Sequence, residues 1–295
     1  MKKLTIGMST YDDFDGVYFS IQSLRMHQDL LDNDLDLLVI DNNPSSGHSK
    51  AIQGLCNWIP NLRYIPYDKK QSTSVRNEIF RNALGKYCIS MDCHVMFMPD
   101  AINSLLKYYN DNPDCKNIVQ GPMMYDNLKG YSTHFKPTWG ADMYGQWDKN
   151  VEGYKSGLPF EIPMMGLGVF SCETKNWRWF NENFRGFGGE EGYIHEKFRL
   201  LGGKAICLPS FQWVHRFSRP NGVKYPLKLH DRVWNYILGW MELYNDPEHQ
   251  MIQDIRKNFE GRFSSEVMDK MIEESKKLNK NIEYNTKSTI TDELP

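Results

Sequence analysis

The first third of the chain alternates continuous apolar runs with amphipathic ones, and few folds accept that pattern. Leu4 to Met8 reads as a strand. Gly16 to Leu31 follows as a helix, with Val17, Ile21, Leu24 and Leu31 at helical spacing. Leu35 to Ile40 is an unbroken apolar strand ending at Asp41. A helix, a strand over Leu62 to Tyr67, a helix over Ser72 to Leu84 and a strand over Tyr87 to Met91 come next. Strands that are apolar throughout are covered on both faces, and the intervening helices supply that cover. The expectation is an α/β fold: a Rossmann-like, mostly parallel sheet flanked by helices. In open sheets of this kind, ligands bind beyond the carboxyl ends of the strands. Ser9-Thr10-Tyr11-Asp12, Asp41-Asn42-Asn43 and Asp92-Cys93-His94 all fall at such ends, so one sheet edge gathers polar residues from three strands.

Later segments are less regular. Gly121 to Gly157 is rich in Gly, Tyr, Trp and Lys without clear periodicity and reads as long loops over a cleft. Glu161 to Cys172 reads as a strand and Thr174 to Phe180 as a short helix. Glu190 to Leu201 is a helix with Ile194, Phe198 and Leu201 on one face, stopped by Gly202-Gly203. Lys204 to Leu208 and Phe211 to Val214 are strands; Leu227 to Tyr244 and weaker segments to about Leu278 are helical. The polar, aperiodic end of the chain predicts a disordered tail.

Bulk properties narrow the class. A chain of 295 residues with 40% hydrophobic content builds one large α/β domain or two modest ones. A net charge of −2 gives no global attraction to nucleic acid or membranes. The six cysteines are scattered with no Cys-x-x-Cys pair, which predicts free, mostly buried thiols in a reducing compartment. No secretory leader or bilayer-spanning run is read from the sequence, so the expected location is cytoplasmic.

Asp92 and His94 can both turn toward one point where their strand runs out into a loop, and His215 closes a later strand-like run. One carboxylate oxygen and two imidazole nitrogens suit Mn²⁺, with Mg²⁺ second and Zn²⁺ chemically possible. Such a cation, acting as a Lewis acid, stabilises charge on a departing diphosphate. Phe187-Gly188-Gly189 delivers Glu190 and Glu191 to a helix start, where the macrodipole favours ionised carboxylates. Arg76, near the start of its own helix, can pair with a pyrophosphate or a base. Arg216, Arg219, Lys224, Lys228 and Arg232, with Tyr225 and Trp234, form a basic aromatic segment suited to a lid or to a phosphate-bearing acceptor.

The ordered series of these motifs resembles the GT-A class of glycosyltransferases, above all the polypeptide N-acetylgalactosaminyltransferase type and the family-two type. Asp92-Cys93-His94 stands for the Asp-x-Asp or Asp-x-His motif. Met165-Gly166-Leu167-Gly168-Val169-Phe170-Ser171 is similar to the Met-x-Gly-Gly-x-Phe-Ser strand. Phe187-Gly188-Gly189-Glu190-Glu191 resembles Trp-Gly-Gly-Glu-Asn and keeps its register to Gly202-Gly203. His215-Arg216-Phe217 looks like His-x-Phe, and Arg76-Asn77 resembles the Ala-Arg-Asn segment. The likeness spans about Leu4 to Arg219.

It implies a metal-dependent transfer from a nucleotide-sugar donor, UDP-sugar by expectation, to an acceptor hydroxyl on a glycan, a protein, a small molecule or a hydroxylated DNA base. Asp92, His94 and His215 would hold the metal. Thr10 and Tyr11 would frame the base, Asp41 would contact nucleobase or ribose, and Arg76, Gly168 and Arg219 would line the donor. Glu191 is the candidate base for an inverting reaction; in a retaining one Glu190 mainly orients the sugar. Phe187 replaces the usual tryptophan, so the sugar stays open. The domain expectation is a catalytic unit over 1–222, with a nucleotide half at 1–120 and a sugar or acceptor half at 121–222. A helical extension at 223–280 and the tail at 281–295 complete it. The alternatives are a nucleotidyltransferase and a non-catalytic sugar- or nucleic-acid-binding module. The acidic Ser9-Thr10-Tyr11-Asp12-Asp13 segment, in place of a glycine-rich basic loop, argues against the first.

Overall fold

A computed structural model describes residues 2–27, 34–219 and 222–279. The first half contains β1 (Lys2–Thr10), α1 (Phe14–His27), β2 (Leu35–Asp41), α2 (Ser49–Trp58), β3 (Leu62–Pro66), α3 (Arg76–Arg81), β4 (Gly85–Asp92), β5 (Val95–Phe97), α4 (Ala101–Asp111) and β6 (Ile118–Gln120). Next come β7 (Met123–Tyr125), β8 (Tyr131–Ser132), β9 (His134–Gly140), β10 (Met143–Asp148), α5 (Val151–Ser156), β11 (Phe160–Glu161) and β12 (Val169–Glu173). The last are α6 (Glu191–Leu200), β13 (Ala205–Cys207), β14 (Trp213–His215), α7 (Leu229–Tyr244), α8 (Gln250–Asn258) and α9 (Ser265–Asn279).

Eight strands form the main sheet in the order β11-β13-β6-β12-β4-β1-β2-β3. The half read from the apolar runs, β3-β2-β1-β4, is parallel throughout, and β12 joins it antiparallel. All seven residues of β2 are buried, as a strand covered on both faces requires. Register sets the carboxyl edge: Thr10 pairs with Asp41, and Ser9 with Asp92. Adjacent strands lie about 4.8 Å apart, so the three predicted strand ends are immediate neighbours.

A second sheet, β5-β14-β7-β8, does what no local pattern announces. After His94 the chain turns into β5, which pairs antiparallel with β14 and sets His215 opposite Val95. The Arg216 amide donates to the His94 carbonyl at 3.1 Å. That ladder brings together two histidines far apart in sequence.

Several expectations are corrected. Residues 121–157 are not long loops: they hold β7, β8, α5 and the β9–β10 hairpin, whose turn residues Ala141 and Asp142 take φ of 49° and 62°. The Ser72–Leu84 helix is a 3₁₀ turn over Thr73–Val75 followed by the short α3, because the Ser72 hydroxyl accepts the Ser74 amide at 3.3 Å and caps it. The Glu161–Cys172 strand splits into β11 and β12 around Pro163, which lacks a ladder donor, and Gly166. Thr174–Phe180 is one 3₁₀ turn followed by irregular chain, with Trp179 at φ 53°, since Trp177 sinks into the core and stacks on Phe80 at 4.3 Å. The helix expected over Gly16–Leu31 starts at Phe14 and is followed to His27; its remainder and the 281–295 tail lie outside the described residues. The elements β5, α4 and β6 occupy a stretch to which the pattern assigns nothing.

One core cluster runs from β1 to α9. A buried ion pair ties α6 to α7: Lys197 Nζ donates to Glu242 Oε1 at 2.6 Å and to the Tyr193 hydroxyl at 2.7 Å. All six cysteines are buried and unbridged. No helix among the described residues is long and apolar enough to cross a membrane.

Candidate active site

Beyond the carboxyl ends of β1 and β4 opens a cleft of about 490 Å³. It is lined by every predicted site residue except Asp41. That residue is fully buried; its oxygens accept the Asn43 amide at 3.0 Å and the Tyr64 hydroxyl at 2.7 Å. Asn42 lines the cleft in its place. Its amide nitrogen donates to the carbonyls of Tyr67 and Lys70 at 3.1 and 2.7 Å, while its Oδ1 is a buried acceptor with no partner. The sequence carried the signal for Asn42 only as position: it follows a strand-end aspartate. Thr10 and Tyr11 sit beside it, and the Tyr11 hydroxyl donates to Gln71 Oε1 at 3.4 Å.

At the opposite corner, one ligand atom each from Asp92, His94 and His215 lies within 4.8 Å of the others. The two imidazole rings are 4.9 Å apart and nearly perpendicular. Burial, and then the neighbouring His94, lower the His215 pKa to about 3, so the ring is neutral at physiological pH. Its Nδ1 is buried without a hydrogen-bond partner. A neutral imidazole with an orphaned nitrogen beside a carboxylate fits a divalent cation. Asp92 is half-buried; desolvation favours its neutral form, but Arg76 and the histidines outweigh that and hold its pKa below the usual carboxylate value. A second grouping, Asp13, Cys93 and His94, shares His94. There burial drives the Cys93 thiol pKa well up, which keeps the sulfur protonated and a poor ligand.

Arg219 Nη2 donates to His94 Nε2 at 2.7 Å. The same nitrogen stands 3.7 Å from Asp92 Oδ2, so a cation at this corner and the Arg219 guanidinium compete for one lone pair. Gly168 borders the corner closely: a Cβ there would stand 2.9 Å from the Trp213 ring and 3.4 Å from His215.

Between corner and carboxylates lies Arg76, 9% exposed. It donates to Asp92 Oδ1 at 3.0 Å, to the Thr73 hydroxyl at 2.7 Å and more weakly to Glu190 Oε1 at 3.4 Å. Burial disfavours its charge, but Asp92, Glu190 and Glu191 more than restore it and raise its pKa. Thr73 passes the contact on, donating to Glu190 Oε1 at 2.7 Å, while Glu190 Oε2 is buried and unpartnered.

Gly188 and Gly189 have φ of +97° and +91°, a left-handed path that side chains resist. The path is held by α7, where Asn235 Oδ1 accepts the Arg185 amide at 2.8 Å and its Nδ2 donates to the Gly188 carbonyl at 2.9 Å. The turn places Glu190 and Glu191 at the start of α6. Burial, and then Glu190 beside it, raise the Glu191 pKa to about 8. Beneath them the sequence reading missed a brace. His195, wholly buried, is 2.6 Å from both the Glu191 carbonyl and Gln120 Oε1. The Gln120 amide nitrogen bonds the Gly166 and Val169 carbonyls at 2.9 and 3.2 Å. The only sequence signal was spacing, since His195 lies four residues after Glu191 on one helix face.

The Glycosyl transferase family 2 model matches residues 5–171. No curated protein sequence matches the chain. Among solved structures, GalNAc-T7 with UDP, GalNAc and Mn²⁺ superposes at a TM-score of 0.68 and 14% identity, over 93% of this chain and 54% of that one. The chain therefore spans about half the length of GalNAc-T7. S. aureus TarS 1–349 in complex with UDP-GlcNAc gives 0.57 at 13% identity, over 92% and 79%. The mannosyltransferase PcManGT from Pyrobaculum calidifontis, in complex with GDP-Man and Mn²⁺, gives 0.55 at 12%, over 92% and 73%. At these identities the superpositions establish a shared fold.

Proposed function

Because the chain belongs to glycosyl transferase family 2, with the GT-A fold, we propose that it moves a sugar from UDP to an acceptor hydroxyl with the help of a divalent cation, Mn²⁺ before Mg²⁺. The observation that carries this reading is the convergence of Asp92, His94 and His215 on one point of the cleft. When bound there, the metal supplies Lewis-acid stabilisation of the leaving diphosphate.

The remaining work falls to the chain's own groups. Asn42 Oδ1, an acceptor without a partner, suits the imide N–H of uracil beside Thr10 and Tyr11. Arg219 exchanges His94 for a phosphate oxygen and adds a second positive charge at the leaving group. Arg76 holds Asp92 and Glu190 in place. Glu191, its pKa raised toward the working pH, takes the acceptor proton if the reaction inverts; Glu190, braced by Thr73, orients the donor sugar. Residues 1–222 serve as the catalytic unit, and α7 keeps the glycine turn in shape. The acceptor is a hydroxyl on a glycan, protein, small molecule or modified base. A panel of UDP- and GDP-sugars, read by nucleotide released with Mn²⁺ and no acceptor, tests the reading. UDP release is expected; a preference for GDP-sugars would refute the nucleotide assignment, and release from no donor would refute the activity.

A further inference from the structure

We propose that the indole of Trp147 is a stacking face for a pyranose ring in the cleft, about one ring from the Asp92–His94–His215 corner. The idea rests on the glycosyltransferase reading and adds the surface on which a sugar lies. Trp147 pairs across the β9–β10 hairpin with Phe135; the rings meet edge to face at 4.2 Å and 74°. Gly166 lies against both. A Cβ there would stand 3.0 Å from the tip of the indole and 3.2 Å from the tip of Phe135, so a larger residue would push the indole aside. Packing thus fixes the ring, yet Trp147 remains 38% exposed, and it lines the cleft with Phe135 and Met143. A fixed flat apolar face in a cleft that also holds carboxylates and arginines favours a ligand with one apolar face and a polar rim. A pyranose has that shape, with C–H groups on one face and hydroxyls around the rim. Glu191 and Arg232 line the same cleft and supply partners for the rim hydroxyls.

Position supports a sugar next to the reacting bond. Gly166 touches Trp147, while Gly168 touches His215. Two residues of chain span at most about 7 Å, so the shelf begins one ring away from the metal corner. The hairpin is also held by α7 and packed against α6, the helix that carries Glu191. The Tyr144 amide donates to the Tyr236 hydroxyl at 2.9 Å, and a Cβ on Gly192 would stand 2.9 Å from the Tyr144 ring.

The ring on the shelf comes from the donor or from the acceptor, and two substitutions separate the sources. Trp147→Leu keeps apolar bulk without a π face; Trp147→Phe keeps the face. UDP alone, which carries no hexose, is expected to bind Trp147→Leu and the wild type alike, which also shows that the variant is folded. In acceptor-free hydrolysis of UDP-glucose, UDP-GlcNAc and UDP-GalNAc, a KM raised roughly tenfold by Trp147→Leu, about 1.4 kcal/mol of ring contact, places the donor hexose there. If instead the stimulation of UDP release by methyl glycosides is what weakens tenfold, the acceptor sugar lies there. In either case Trp147→Phe retains most of the effect. The proposal is overturned if Trp147→Leu matches the wild type in both assays, or if Phe and Leu lose equally. A wild type that binds no UDP would refute the donor assignment rather than the shelf.

Discussion

Arg76→Met tests whether the centre of the cleft is held together by charge. Arg76 is buried with two carboxylates bonded to it directly, and a third, Glu191, interacting electrostatically. Hydrogen bonds to charged groups contribute about 1.5–3 kcal/mol each. Two strong ones, to Asp92 at 3.0 Å and Thr73 at 2.7 Å, are lost, and the Glu190 contact at 3.4 Å adds little. The sum, about 3–6 kcal/mol, agrees with the roughly 3–5 kcal/mol typical of removing one partner of a buried ion pair. Methionine keeps the chain volume, so little of the loss comes from a cavity. The assay is urea unfolding at pH 7 without added metal, accepting only variants whose m value is unchanged. The deficit arises from carboxylates left ionised without a partner, so it should shrink as pH falls toward about 4, where carboxyl groups protonate. A variant within about 1 kcal/mol of the wild type at pH 7, or a deficit independent of pH, would refute the electrostatic account.

Two further predictions concern titrating groups. The His195 pKa falls to about 3, chiefly through burial, against 6.5 for the free side chain. A group with a depressed folded pKa protonates first in the unfolded chain, so its contribution to stability is complete above pH 6.5 and is lost as pH falls from there toward 3. Urea midpoints measured from pH 7 to 5 should decline in the wild type and less steeply in His195→Gln; equal slopes would contradict this. Glu191→Gln should lower kcat by about 10²–10⁴-fold, and the wild-type rate should rise with pH, reaching half its maximum near the Glu191 pKa of about 8 and levelling off above it. A variant with near-normal kcat would remove Glu191 from the role of base.

What the sequence revealed and concealed follows from the range of the interactions. The parallel half of the sheet was legible because β2 and its neighbours are buried on both faces, which leaves an unbroken apolar run. Asp92, His94, Glu190 and Glu191 were legible because strand ends and glycine turns mark them locally. The β9–β10 hairpin was not. Its two-residue turn is Ala141-Asp142, both at positive φ, without the glycine that usually announces such a turn. His215 could be named from its motif, but its partnership with His94 depends on β14 pairing with β5, a register only the folded chain sets. Asp41 and Asn42 show the limit most clearly. The carboxylate that sequence favours turns inward to Tyr64 and Asn43, and the next residue faces the cleft. One residue of offset on a strand moves a side chain to the other face.

The cation corner of Asp92, His94 and His215 is the centre of the proposed chemistry. Mn²⁺ binding followed by calorimetry, with and without UDP, in the wild type and in Asp92→Asn, His94→Ala and His215→Ala, tests it directly. The expected result is a single site in the wild type, tightened by UDP and weakened at least tenfold in each variant. Wild-type Mn²⁺ affinity in all three variants, or undiminished UDP-sugar turnover in EDTA, would contradict it.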